Sequence, residues 1–340
     1  MKYVHSHIAH LENRWSWMLD RFKREIDYLR ISVTENCNLK CVYCIDENTL
    51  PNFCNKEYLS EDEIIRIVTQ CAVLGIKKIR ITGGEPLVRK DIESLIGRIN
   101  QIDGIEEIYI TTNGVLLKDK LAKLKENGLT GVNISLDSLK RDRFEKLTRF
   151  DKLSQVLSAI DKALSLNLKV KINTVIVDDI NKDEIIDFVN LTKNKNLQVR
   201  FIELMPIGEG KKHQGTSNEE VLNIIEKNFE NIQILKRNKR SGPAHYIRVE
   251  DFKGSVGFIS PISSCFCEEC NRIRLTSEGF LKKCLHYSYG ADLKRYLKHG
   301  IDDENLKKLI EDTIYNKPEK HYFMKECDNK ENKYMNQIGG

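Results

Sequence analysis

No stretch of this 340-residue sequence approaches the roughly 18 consecutive apolar residues that would suggest a membrane-spanning helix, so no membrane role is expected. The opening MKYVHSHIAHLENRWSWM has little basic character, no continuous apolar core and an early Glu12. It does not read as an export signal, and a cytoplasmic protein is expected. Also missing is any Lys/Arg block with interleaved aromatics. The formal charge of +5 is spread over 55 basic and 50 acidic residues, which argues against nucleic-acid binding. A local anion site stays open, because a handful of arginines can bind phosphate without a basic surface. There is no low-complexity linker.

Cysteine, by contrast, is plentiful: ten residues, seven of them in two tight clusters. A reducing compartment disfavours a disulfide framework and favours metal binding or catalysis. From Tyr28 to about residue 230, short β-branched runs alternate with longer amphipathic segments, the pattern of βα units and a parallel sheet. The runs are DYLRISV, KKIRIT, EIYITT, GVNISLD, KVKINTVIV and LQVRFIEL. A helix is expected from Ser60, with Glu63 completing a capping box and Ile64, Ile67, Val68 and Leu74 as its apolar stripe. Further helices are expected over 153–166 and 182–194. Six such units make either a doubly wound sheet or an incomplete barrel, and in both the chemistry belongs at the carboxyl ends of the strands. Cys37–Cys44, the GGEP of residues 83–86, the TTNG of residues 111–114, Ser135, Asp137, Arg200, Glu203 and Met205 all fall at or near such ends. After about residue 230 the pattern becomes a short antiparallel excursion, and a soft domain boundary is expected there.

Cys37, Cys41 and Cys44 are spaced C-x3-C-x2-C with no fourth ligand beside them. Three thiolates can hold three corners of a cubane iron-sulfur cluster, whereas structural zinc closes its tetrahedron with four protein ligands. A zinc knuckle borrowing a distant Cys or His is the alternative. Cys267, Cys270 and Cys284 repeat the three-ligand count as C-x2-C-x13-C, and Cys265 could make a fourth.

With its strand context, the first triad resembles the radical S-adenosylmethionine superfamily, and GGEP resembles that family's loop for the methionine amino group. The stretches YLRISVTENCNLKC, VRFIELMPIG, GFISPIS, FCEECNRIRLTSEGFLKKCL and the terminal IGG together resemble the GTP 3′,8-cyclase family, over about residues 18 to 340. The resemblance implies an incomplete (β/α)6 TIM-like barrel over 18–230, with a smaller C-terminal domain over 231–340 closing its open side. Residues 1–17 are an extension of unassigned role. It implies two 4Fe-4S clusters, on Cys37, Cys41 and Cys44 and on Cys267, Cys270 and Cys284, with Cys265 outside the ligand set. It implies S-adenosyl-L-methionine as cofactor, contacted by Tyr43, Gly84, Glu85, Ser135 and Met205. The implied GTP site is Arg30, Lys78, Arg80, Thr111, Lys171, Arg200, Arg272 and Arg274. The two last, with Gly339 and Gly340, serve catalysis, the Gly-Gly end reaching into the barrel.

The implied reaction is the first step of molybdenum cofactor biosynthesis, in which a 5′-deoxyadenosyl radical removes hydrogen from the ribose 3′ carbon of GTP and the sugar radical attacks guanine carbon 8. The product is (8S)-3′,8-cyclo-7,8-dihydroguanosine 5′-triphosphate. Implied partners are a reductant protein and the next enzyme, cyclic pyranopterin monophosphate synthase, with a homodimer possible. Two departures stand out: Ile45 and Asp46 replace the family's common Met-Pro, and Lys23 stands where glycine is common. A peptide-modifying radical enzyme and a non-enzymatic zinc module are the competing readings.

Overall fold

The structure is a computed structural model that describes residues 18–46, 57–236, 242–322, 331 and 333–339; the extension 1–17 and Gly340 lie outside the described residues. Its strands are β1 (Tyr28–Ser32), β2 (Lys78–Thr82), β3 (Glu107–Thr112), β4 (Gly131–Ser135), β5 (Lys169–Val175), β6 (Gln198–Ile202), β7 (Ile232–Leu235), β8 (His245–Val249), β9 (Ser255–Ile259), β10 (Arg272–Leu275), β11 (Phe280–Lys282) and β12 (Gly290–Asp292). Helices α1 (Glu61–Val73), α2 (Ile92–Asn100), α3 (Leu117–Glu126), α4 (Arg141–Thr148), α5 (Leu153–Ser165), α6 (Asp178–Asn181) and α7 (Ile185–Asn194) separate the first six. Later come α8 (Asn218–Asn228), α9 (Leu293–Lys298), α10 (Asp303–Tyr315) and α11 (Met335–Ile338).

All six expected strands form, each joined to the next in parallel register from β1 to β6. The expected capping box starts α1: the Ser60 hydroxyl accepts from the Glu63 N–H and the Glu63 carboxylate from the Ser60 N–H. The antiparallel excursion is β7–β8–β9. Local pattern did not reveal that β9 also lies parallel to β6, and β10 parallel to β1. The partial barrel of six units is thus widened on both edges by strands from beyond residue 230, in one sheet of order β12-β11-β10-β1-β2-β3-β4-β5-β6-β9-β8-β7.

Parallel strands covered on both faces normally read as continuous apolar runs. Here they alternate. Leu29, Ile31, Ile79, Ile81, Ile108, Ile110, Val132, Ile134, Ile172, Val199 and Ile273 are fully buried or nearly so, in one apolar cluster with helix residues such as Ile67, Leu95 and Phe188. The intervening positions, including Arg30, Arg80, Thr111, Asn173, Arg200, Arg272 and Arg274, face a cavity. The register sets Arg274, Arg30, Arg80 and Tyr109 side by side across four strands. The sheet therefore curves around a polar lumen, with its apolar face turned out to the helices.

Candidate active site

One cavity of about 320 Å³ is lined by all six cysteines of the two triads and by side chains from β1, β2, β3, β5, β6, β9 and β10. The first triad sits on the loop after β1. That loop is fixed from several sides: the Gly84 N–H donates to the Thr34 carbonyl (2.8 Å) and the Glu85 N–H to the Asn36 carbonyl (2.8 Å), while the Lys40 and Val42 N–H groups donate to Thr148 and Leu147 at the end of α4. GGEP is more than a turn. A Cβ on Gly84 would stand 2.5 Å from the carbonyl oxygens of both Glu35 and Asn36, and one on Gly83 2.5 Å from that of Thr34, so only glycine lets the two loops touch.

Glu85 is fully buried, and its carboxylate accepts from the Leu87 N–H, the Thr112 hydroxyl and the Asn113 N–H at 2.7–3.0 Å. Burial pushes it up to about 7 despite those donors. It braces the loops after β2 and β3 from behind rather than lining the cavity. Asn113 in turn donates to Asn38 Oδ1 (2.7 Å) and toward Cys37 Sγ (3.8 Å). Tyr43 donates its hydroxyl to Asp137 Oδ2, while Asp137 Oδ1 accepts from the Val175 N–H (2.8 Å). Burial raises Asp137 to about 6.

Burial pushes the Cys37 thiol up to about 11 and Cys44 to about 12, and Cys41 goes well above its ordinary value through burial and the nearby Cys44, Cys37 and Asp137. Three buried sulfurs that resist ionising are a donor set that a bound iron-sulfur group would satisfy, since the metal charge offsets the cost of burying thiolates. The residues fit that group.

The second triad has a different setting. Burial raises Cys267 to about 12; burial also raises Cys270, but Lys317 and Arg272 outweigh it and bring Cys270 down to about 6. Arg24, which the sequence reading passed over, holds this loop: its guanidinium donates to the carbonyls of Cys267 (2.8 Å), Glu319 (2.7 Å) and Pro318 (2.6 Å) and to Asp20. A preformed thiolate among three cysteines likewise suits a bound cluster.

The lumen that the triads share is also lined by Arg30, Arg80, Arg200, Arg272 and Arg274. Burial and the neighbouring Arg274 push Arg30 well below its ordinary value; burial, then Arg272, bring Arg274 to about 10; burial, then Arg200 and Arg80, bring Lys171 to about 6. Arg200 is buried and donates to Asn133 Oδ1 (2.8 Å) and Asn173 Oδ1 (2.5 Å), neutral acceptors that orient it without cancelling its charge. Arg80 lies 5.3 Å from the Tyr28 ring centroid, and Lys78 4.6 Å from that of Tyr109. Arg80 Nε, Arg200 Nε and the hydroxyls of Tyr28 and Thr111 have no hydrogen-bond partner among the described residues. Buried donors left over beside mutually repelling cations mark a site completed by an anionic ligand.

Thus the structure brings Arg30, Arg80, Thr111, Arg200, Arg272 and Arg274 to the same cavity as Tyr43, Gly84, Ser135 and Met205. Lys78 and Lys171 do not line that cavity; Lys78, on the same strand face as Arg80, is paired with Glu107 at 2.8 Å. Asn113 falls within the TTNG stretch already singled out, whereas sequence reasoning missed Asn133, Asn173 and Lys317, polar residues with no motif of their own. Lys23 has φ 61°, so the backbone there takes the left-handed form that explains glycine at this position.

The tail enters the lumen. Ile338 is buried against Ile207, with Met205, Ile262, Leu285 and Met335 around it. The Asn336 N–H donates to Cys44 Sγ and its amide to the Glu35 carbonyl (3.1 Å). Gly339 has φ 69°, a Cβ there would lie 3.0 Å from side-chain atoms of Ser32 and Thr82, and its carbonyl accepts from Arg274 at 3.0 Å.

Comparison with known proteins adds an independent line. The family model of the Radical SAM superfamily matches residues 31–192, and that of Molybdenum Cofactor Synthesis C matches 197–323. The chain is 54% identical over 324 residues to a GTP 3',8-cyclase of Clostridium perfringens (strain SM101 / Type A), covering 95% of this chain and 100% of the relative. It is 47% identical over 324 residues to a GTP 3',8-cyclase of Clostridium botulinum (strain Okra / Type B1), with the same coverage. Among solved structures, Streptococcus suis SuiB bound to S-adenosylmethionine aligns with a TM-score of 0.59 at 17% identity, over 86% of this chain and 66% of that one, a likeness of fold.

Proposed function

From the premise that the chain belongs to the GTP 3′,8-cyclase family of radical S-adenosylmethionine enzymes, we propose which of its residues carry the cyclisation of GTP that opens molybdenum cofactor biosynthesis. The observation that supports the assignment is the set of buried cations, with unused donors, lining one cavity with two thiol triads. When bound, 4Fe-4S clusters on Cys37, Cys41 and Cys44 and on Cys267, Cys270 and Cys284, together with S-adenosyl-L-methionine, supply the radical chemistry and an anchoring metal.

The chain's own groups do the positioning. Arg30, Arg80, Arg200, Arg272 and Arg274 bind the triphosphate and ribose, where about four negative charges replace the repulsion among the guanidiniums. Lys78 and Lys171 add positive charge, and Thr111 donates its spare hydroxyl. Gly84 offers backbone to the methionine end of S-adenosyl-L-methionine, Ser135 and Met205 line its path, and Tyr43, held by Asp137, braces the first loop. Glu85 is a positioning residue in this scheme, tying the S-adenosyl-L-methionine side to the strand ends. Gly339, with Gly340 beyond the described residues, fills the mouth beside Arg274. Holding both ends of the nucleotide on rigid strands keeps the reacting carbons in attack geometry and keeps water out.

The division of labour follows the chain: residues 18–230 bind S-adenosyl-L-methionine, and residues 231–340 close the lumen and present the base anchor. No helix among the described residues is long and apolar enough to cross a membrane. We place the enzyme in the cytoplasm, where thiols stay reduced and a reductant protein can deliver electrons. Its product passes to cyclic pyranopterin monophosphate synthase. A homodimer fits the same reading.

Anaerobic reconstitution should load about eight irons per chain. Incubation with S-adenosyl-L-methionine, dithionite and GTP deuterated at the 3′ carbon should move the label into 5′-deoxyadenosine. Label lost only to solvent, or about four irons at saturation, would overturn the assignment.

A further inference from the structure

Beside the second triad stand two potential ligands that a three-cysteine cluster does not use. Cys265 is exposed, and its Sγ lies 3.9 Å from His321 Nε2. One ligand atom from each of Cys265, Cys267 and His321 lies within 4.8 Å of the others. The backbone N–H of His321 also donates to the Cys267 sulfur, fixing one side of the trio. Donors on a tetrahedral dication with bonds of about 2.0–2.3 Å stand roughly 3.3–3.8 Å apart, so small side-chain rotations would close this set on one ion.

We propose that Cys265, Cys267 and His321 form a mononuclear site for a thiophilic dication such as Zn²⁺, occupied in place of the second cluster. Two sulfurs and an imidazole are the ligand types this ion prefers, and water completes the tetrahedron. Binding displaces the thiol protons of Cys265 and Cys267 to solvent, with no change of oxidation state. Because Cys267 belongs to both sets, the ion and the cluster exclude one another. Exposure at Cys265 gives the ion an entry from solvent. The inference rests on assigning Cys267 to the second cluster.

The test uses the full chain with Cys37, Cys41 and Cys44 all changed to Ser, stripped of metal and reduced under argon. Titrated with Co²⁺, it should bind one ion per chain, with thiolate-to-cobalt charge-transfer bands that Zn²⁺ abolishes. Cys265→Ser and His321→Gln should each weaken binding by at least about tenfold, and Cys284→Ser should leave it unchanged. In the unaltered chain, Zn²⁺ added before iron should lower loading from about eight irons to about four, and Cys265→Ser should relieve the block. Cobalt binding that ignores Cys265→Ser and His321→Gln but fails with Cys284→Ser would overturn the proposal, as would no binding. A zinc-free count of about eight irons tests the cluster assignment separately.

Discussion

Cys37, Cys41 and Cys44 share their corner with Glu85 and Asp137, whereas Cys270 stands beside Lys317 and Arg272. Both triads offer three sulfurs to the same cavity, yet buried carboxyl groups stand near one and cationic side chains beside the other. S-adenosyl-L-methionine carries a sulfonium and an ammonium; GTP carries its triphosphate. Identical ligand counts conceal different surroundings.

The strongest way to break the comparison is to remove one triad at a time. Cys37→Ser should reduce S-adenosyl-L-methionine cleavage to background, whereas Cys267→Ser should retain some cleavage and lose cyclisation, both read by 5′-deoxyadenosine and product yields. Equal loss of cleavage in both would mean that the triads do not divide the work. Next in size, deleting Gly339 and Gly340 should nearly abolish conversion while both clusters stay loaded, because the tail meets the cationic side at Arg274 rather than supplying a ligand. Wild-type turnover in the truncated chain would show the tail to be a bystander.

A smaller effect concerns the buried cations alone. Lys171, held at about 6, is mostly neutral at pH 7 in the free protein. A bound triphosphate would restore its proton, so binding should take up a proton near neutral pH and weaken as pH rises from 6 toward 8. Calorimetry in buffers of different ionisation enthalpy checks this, and Lys171→Gln should remove the uptake. Smallest is a difference in labelling rate. In the iron-free chain at pH 7, Cys270 at about 6 is mainly thiolate while Cys37 at about 11 is not, so iodoacetamide should modify Cys270 first. Peptide mapping that found equal rates would erase the electrostatic contrast.

Much of this was legible in the sequence because it is local. The capping box at Ser60, the six alternating strands and the C-x3-C-x2-C loop each carry their signal within a few residues. The GGEP glycines were visible too, although only the structure shows that the Glu35 and Asn36 carbonyls leave no room for a side chain at Gly84. What stayed hidden depends on distant pairing. Nothing near Arg272 announces that β10 lies against β1, and Asn133 and Asn173 become informative only when β4 and β5 bring them to Arg200. Arg24 looks like any surface cation until its carbonyl partners at Cys267, Pro318 and Glu319 are seen.

The pairing of β1 with β10 also sets a schedule for biosynthesis. Tyr28 lies opposite Arg272, 244 positions later in the chain. At translation rates of about 5–20 residues per second, the outer edge of β1 waits roughly 12–50 s for its partner. An unpaired edge recruits foreign strands unless something discourages them, and a charge set in the middle of the strand is one such device. Arg30 occupies that middle position, where its charge would disfavour wrong partners until the C-terminal strand arrives.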